Sequence, residues 1–168
     1  TPAAHPVSAL SSRQQMSKLP SITLAFWVMK ICATTLGETA GDLLSMTLNV
    51  GYAVSSIILF SLFAATLTGQ LLSRRHLPFL YWSVIVSTST AGTTMSDFMS
   101  RTLLGTPEDA KYMAASAILL TLLLTTLAIW RFTEKSLSVT SITTRRGEVF
   151  YWTAILFSNT LGTALGDF

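Results

Sequence analysis

A tryptophan, nine residues, a glycine, four residues and an aspartate recur three times in this chain, and that recurrence limits the fold to a repeated unit. Set beneath one another, FWVMKICATTLGETAGDLL, YWSVIVSTSTAGTTMSDFM and YWTAILFSNTLGTALGDF align Trp27, Trp82 and Trp152. Gly37, Gly92 and Gly162 then share a column, as do Asp42, Asp97 and Asp167. Self-similarity of this kind is the mark of a repeat architecture. A plainer apolar stretch follows each complete marked segment, as in AASAILLTLLLTTLAIW, so each unit is expected to be a two-helix hairpin with a marked first helix and a plain second one.

Composition indicates the solvent. Half of the residues are hydrophobic and only 11% are charged, and the mean hydropathy is +0.54, which is a membrane composition. Five windows, 22–46, 50–72, 78–99, 110–130 and 149–168, approach the roughly 20 apolar residues that a helix needs to cross a bilayer. The expected fold class is therefore all-α, a polytopic helical membrane protein of tandem hairpins with about five transmembrane helices. Its expected organisation is a mobile tail over 1–20, repeat 1 over 21–73, repeat 2 over 74–147 and the first helix of an incomplete repeat 3 over 148–168. Arg13 and Lys18, Arg74 and Arg75, and Arg131, Lys135, Arg145 and Arg146 all fall on one side of such a bundle. On the other side Arg101 and Lys111 are offset by Glu108 and Asp109. Because Lys and Arg favour the cytoplasmic side, the basic loops and the N-terminus are expected there, with every marked helix running outward. The single Cys32 excludes a disulfide framework within the chain.

The tandem hairpins, each opening on an aromatic-Trp pair and closing on a Gly-rich, Asp-ending helix, resemble a family of bacterial membrane-anchored proteins built from a repeat of unknown function. The stretch TTLGETAGD over 34–42 carries the resemblance most specifically. It implies two membrane spans and one tryptophan per copy, four copies as the usual number, and a bacterial inner membrane. It implies no activity. This sequence contains about two and a half copies, so the remainder of the array, a homo-oligomer or a larger membrane complex are the expected partners beside the lipid bilayer.

Side chains four residues apart stack on one face of a helix. Thr34, Glu38 and Asp42 therefore form a polar stripe, matched by Ser89, Thr93 and Asp97 and by Asn159, Thr163 and Asp167. Beside it run the small pairs Gly37 and Gly41, Gly92 and Ser96, and Gly162 and Gly166, which permit close backbone approach in lipid. These are the expected helix-packing residues, joining the first, third and fifth helices around a shared centre. Trp27, Trp82 and Trp152 are expected as interfacial anchors. At about 1.5 Å per residue, Glu38 then lies roughly 16 Å beyond its Trp, near mid-membrane, and each Asp roughly 22 Å beyond.

Carboxylates at such depth are costly unless paired or hydrated, and they mark functional sites in membrane proteins. The expected ion- or substrate-binding set is Glu38, Asp42, Asp97 and Asp167, with Thr34, Thr35, Thr39, Ser89 and Thr93 as neutral oxygens and Lys30 as a counter-charge to Glu38. Such hard oxygen ligands suit a proton, Na⁺ or a divalent cation, and no other cofactor is implied. His5 and His76 suggest no metal site, and phosphate-loop, zinc-protease and nucleophile-elbow motifs are absent from the sequence. No enzyme activity and no nucleic-acid partner are therefore expected, the paired arginines being explained by topology. Two functions fit: a small secondary transporter or ion-coupled exporter, or a non-transporting scaffold or complex subunit whose Gly and Thr seams pack helices.

Overall fold

The computed structural model describes residues 20, 22–73, 77–103, 107–135, 137, 142 and 144–168. The N-terminal tail with His5, Arg13 and Lys18, and the connection holding Arg74, Arg75 and His76, lie outside the described residues. Five α-helices account for the described chain: α1 (Leu24–Asp42), α2 (Tyr52–Leu72), α3 (Pro78–Phe98), α4 (Glu108–Glu134) and α5 (Arg145–Gly166). No strand occurs among the described residues. α1, α3 and α5 are the marked helices of the repeat, and α2 and α4 the plain ones.

Local chemistry sets the helix ends. The Thr23 side chain accepts from the Phe26 amide to open α1, and that of Thr144 accepts from the Gly147 amide to open α5. Pro78 opens α3, where its missing N–H costs nothing. Beyond the repeat's aspartate, α1 and α3 both widen into one π-helical turn, Leu43–Thr47 and Met99–Leu103. The turn into α2 then needs Gly51 at φ 84°, a left-handed conformation that glycine adopts without steric cost.

α3 is the hub. α1, α2 and α5 each pack on it, while α4 packs mainly on α5. The main core joins Ala33, Leu59, Phe63, Tyr81, Ile85 and Trp152, and a second cluster joins Met99, Ala115, Leu119 and Ala164. The polarity is inverted relative to a water-soluble bundle. Ser87, Thr88, Ser89, Thr90, Thr93 and Thr94 of α3 are all buried, whereas Ile57, Leu62, Leu124 and Phe132 of the plain helices point outward. Two of the five helices, over Tyr52–Leu72 and Ala110–Glu134, are long and apolar enough to cross a membrane.

A buried hydroxyl needs a partner, and much of the Ser and Thr content is accounted for in this way. Thr34, Ser61, Thr68, Ser83 and Thr90 each donate to the carbonyl four residues earlier. Others tie helices together. Ser56 Oγ donates to the Thr94 carbonyl at 2.9 Å, and Thr66 and Ser87 share a 2.8 Å bond between hydroxyls.

Candidate functional site: a carboxylate and arginine cluster

The small-residue seam sets where the carboxylates meet. A Cβ placed on Gly37 would lie 2.4 Å from Ser89 Cβ, so only glycine lets α1 approach α3 this closely. A Cβ on Gly92 would lie 3.1 Å from the Thr160 nitrogen and 3.2 Å from Asn159 Cβ. Ser89 and Asn159 share one repeat column, and Thr90 and Thr160 the next, so the α1–α3 and α3–α5 joints are in the same register. Ser89 Oγ donates to the Thr34 carbonyl at 2.9 Å across the first joint. Across the second, Asn159 Nδ2 donates to Thr88 Oγ1 at 3.3 Å, and Thr93 and Thr163 hydroxyls lie 3.4 Å apart.

This stacking carries the aspartates into one region at the far end of the marked helices. Asp97 is 1% exposed. Arg101, one turn on, donates from Nε to Asp97 Oδ1 at 3.1 Å and brings Nη2 to 4.0 Å from Oδ2 of Asp167, the residue that caps α5. Asp42, from the first repeat, is half-buried at the matching end of α1. The guanidinium is also flanked by aromatic rings, with its central carbon 5.7 Å from the Tyr52 centroid and 5.9 Å from that of Tyr112. One arginine thus answers carboxylates from the second and third repeats. Asp97 Oδ2, Ser96 Oγ and Ser100 Oγ remain buried without a hydrogen-bond partner, which leaves neutral and anionic oxygens able to take a proton or a further ligand.

Glu38 occupies a different environment. It is exposed on the flank of α1, one turn before Asp42. Lys30 Nζ is buried without a hydrogen-bond partner, and no ion pair joins Lys30 to Glu38 among the described residues. The Thr34 and Thr39 hydroxyls donate to the Lys30 and Thr35 carbonyls, while Thr35 itself is exposed, so these oxygens do not converge into a cage around Glu38. No group of three or more His, Cys, Asp or Glu able to hold a metal ion occurs among the described residues.

The other expected residues divide by helix. Gly37, Gly41, Gly92 and Ser96 lie buried in the seam, whereas a Cβ on Gly162 or Gly166 would meet nothing within 4 Å. The marked helices form a chain of joints: α3 touches both α1 and α5, but α1 and α5 are not packed on one another along their length. Trp27 is 55% exposed and Trp82 partly buried, but Trp152 is 0% exposed in the core, its ring 5.4 Å from Tyr81. Burial on one helix and exposure on another reflect the order of the joints, which a single repeat does not encode.

Arg101 is absent from the expected set, where it counts only as an outer-loop charge. The signal was present as Asp97-x-x-x-Arg101, a spacing that puts acid and base on one helical face. It is masked by ending the third span at residue 99, whereas helical structure continues through a π turn to Leu103.

Comparison with known proteins agrees with the internal repetition. None of the curated proteins and none of the solved structures matches the chain. The profile of the Repeat of Unknown Function (DUF347) matches it twice, over residues 25–76 and 80–136. Each match spans a marked helix and its plain successor, and together they cover more than half of the sequence; the chain belongs to the DUF347 repeat family.

Proposed function

We propose that the chain is a multi-pass protein of the bacterial inner membrane and works as a small secondary transporter or ion-coupled exporter. The Asp97, Arg101, Asp167 and Asp42 cluster is its coupling site. The observation that carries this reading is the shared arginine: Arg101 bonds a buried carboxylate of its own repeat and reaches toward one on the next helix, while Asp97 Oδ2 is left without a partner. The outward apolar surface of α2 and α4 supports the membrane setting, and the basic loops support a cytoplasmic N-terminus.

In this reading the cluster alternates between two charge states. With no proton or cation bound, Arg101 neutralises Asp97 and attracts Asp167, drawing α3 and α5 together. A proton or cation on a carboxylate weakens that attraction and lets the two helices part. A site between pseudo-equivalent helices is a common arrangement in transporters built from repeats. Sodium or a divalent cation would be held by Asp97 with neutral oxygens such as Ser96 and Ser100, a hard-oxygen set. Glu38, exposed one turn away, would act at the approach to the cluster.

Purified protein in liposomes, loaded with pH- and cation-sensitive dyes and given proton, Na⁺ or divalent-cation gradients in turn, tests the proposal. Asp97→Asn should reduce ion-dependent flux about a hundredfold, because the coupling charge is lost. Full flux in a folded Asp97→Asn protein would overturn it. The scaffold reading is favoured by the Gly37 and Gly92 seams, which pack helices without any bound ion. It predicts no flux with any gradient.

A further inference from the structure

The second repeat buries a set of oxygens that the first repeat either lacks or satisfies. Ser96, Asp97, Ser100 and Ser116 are 1%, 1%, 2% and 9% exposed, and Ser96 Oγ, Asp97 Oδ2, Ser100 Oγ and Ser116 Oγ have no hydrogen-bond partner. Their counterparts follow from the repeat columns. Gly41 stands where the second repeat has Ser96, and Ser45 where it has Ser100. Both plain helices open with Tyr-x-x-x-Ser, which matches Ser56 to Ser116. Ser45 Oγ donates to the Gly41 carbonyl at 2.9 Å, and Ser56 Oγ to the Thr94 carbonyl at 2.9 Å. A helical serine has the carbonyl four residues earlier within reach. Hydroxyls buried in the same columns without any such bond are therefore turned toward another partner.

The four oxygens gather about one turn. Ser100 follows Asp97 by three residues and Ser96 by four, and so lies beside both on the helix surface. It belongs to the π turn Met99–Leu103, and such turns recur at functional sites. α4 packs on this turn, with Ala115 in one apolar cluster with Met99 and the Tyr112 ring beside Arg101. Ser116 thus approaches from the facing helix. All four atoms are already enclosed, so a neighbour packed on the outside of the bundle cannot supply the missing bonds.

Charge selects the ligand. Asp97 and Asp167 around Arg101 leave one net negative charge. A monovalent cation neutralises it, whereas a divalent ion leaves an excess positive charge beside the guanidinium, which is costly where water is excluded. A proton has the right charge but satisfies one carboxylate oxygen and at most one hydroxyl. An ion seated among the oxygens engages all of them, and it bridges gaps too wide for a direct hydrogen bond. We infer that Asp97 Oδ2 and the hydroxyls of Ser96, Ser100 and Ser116 form a binding site for a dehydrated monovalent alkali cation, with sodium as the probe. The site rests on the coupling reading above and gives it an ion and a ligand from α4.

Binding is measured apart from transport, by thermal unfolding of the full chain in detergent as sodium chloride replaces choline chloride at constant ionic strength. Sodium should raise the melting temperature, and calcium chloride at the same concentration should not. Ser96→Ala, Ser100→Ala and Ser116→Ala should each raise the sodium concentration for the half-maximal shift about tenfold, the loss of one oxygen ligand to a charge. Asp97→Asn should abolish the shift. In choline the three alanine variants should melt no lower than the parent, because each loses a hydroxyl that makes no bond. Ser45→Ala and Ser56→Ala, in the matching columns of the first repeat, should keep the parental sodium response. No sodium shift in the parent, a shift indifferent to all three alanine variants, a stronger response to calcium, or a lower melting temperature of all three variants in choline would each overturn the inference. Flux in liposomes separates it from the reading on which it stands. Sodium binding without sodium-driven flux keeps the site and defeats the transporter, whereas proton-driven flux without a sodium shift defeats the site alone.

Discussion

α1 and α3 are copies of one pattern placed in different surroundings. Both begin with an aromatic residue and tryptophan, carry hydroxyls along the middle and end on Gly-x-x-x-x-Asp. From residue 87 to residue 94 every position of α3 is buried, whereas the equivalent stretch of α1, 32–39, buries only Ala33 and Gly37. The difference is one of neighbours. α3 has a marked helix on each of two faces and a plain helix on a third, and α1 has its marked neighbour on one face alone. The repeat thus specifies which surfaces can pack, and the order of the repeats decides which of them do. The charges follow: α1 carries Glu38 where α3 carries Thr93, and the second repeat adds Arg101 where the first has Met46.

Substituting the same column in the two settings gives the largest expected effect. Gly92→Leu must displace the α5 backbone, which would lie 3.1 Å from the new Cβ, and should cost about 3 kcal/mol of stability, the upper range for overpacking. Gly162→Leu meets open space and should change stability by less than about 0.5 kcal/mol. Chemical unfolding in detergent reads both. Equal losses would show that the two glycines share one environment.

A smaller effect sharpens the same contrast at a hydrogen bond. Ser89→Ala removes the bond to the Thr34 carbonyl across the first joint and should cost about 0.6 kcal/mol, the average measured for such bonds between membrane helices. Ser61→Ala removes only a bond to the carbonyl four residues earlier on exposed α2, and should be neutral within about 0.5 kcal/mol. The same unfolding series separates them, and a larger loss at Ser61 would reverse the assignment.

The hairpin plan was legible because apolar windows and the Trp, Gly and Asp columns depend on local sequence alone. Five helices stand where five windows were expected, and the seam glycines of α1 and α3 lie between helices. The burial of Trp152 beside the exposure of Trp27 was not legible, since both have the same local sequence and differ only in what packs on them. The cluster was half legible. Asp97 stood out as a carboxylate in an apolar run, but its arginine lay beyond an expected span end, and a π turn is set by packing that no periodicity reveals. Glu38 stood out for breaking the repeat, which marks it as special without saying what it meets.

Arg101 is the group that lets Asp97 lie buried among the marked helices. A double-mutant cycle measures this directly, with unfolding free energies for the parent chain, Arg101→Gln, Asp97→Asn and the double variant in one detergent. Arg101→Gln alone leaves a buried charge unpaired and should cost about 1 to 3 kcal/mol. The double variant removes both charges and should recover much of that loss, giving a coupling energy of at least about 1 kcal/mol. Additivity of the two single changes within about 0.5 kcal/mol would contradict the account.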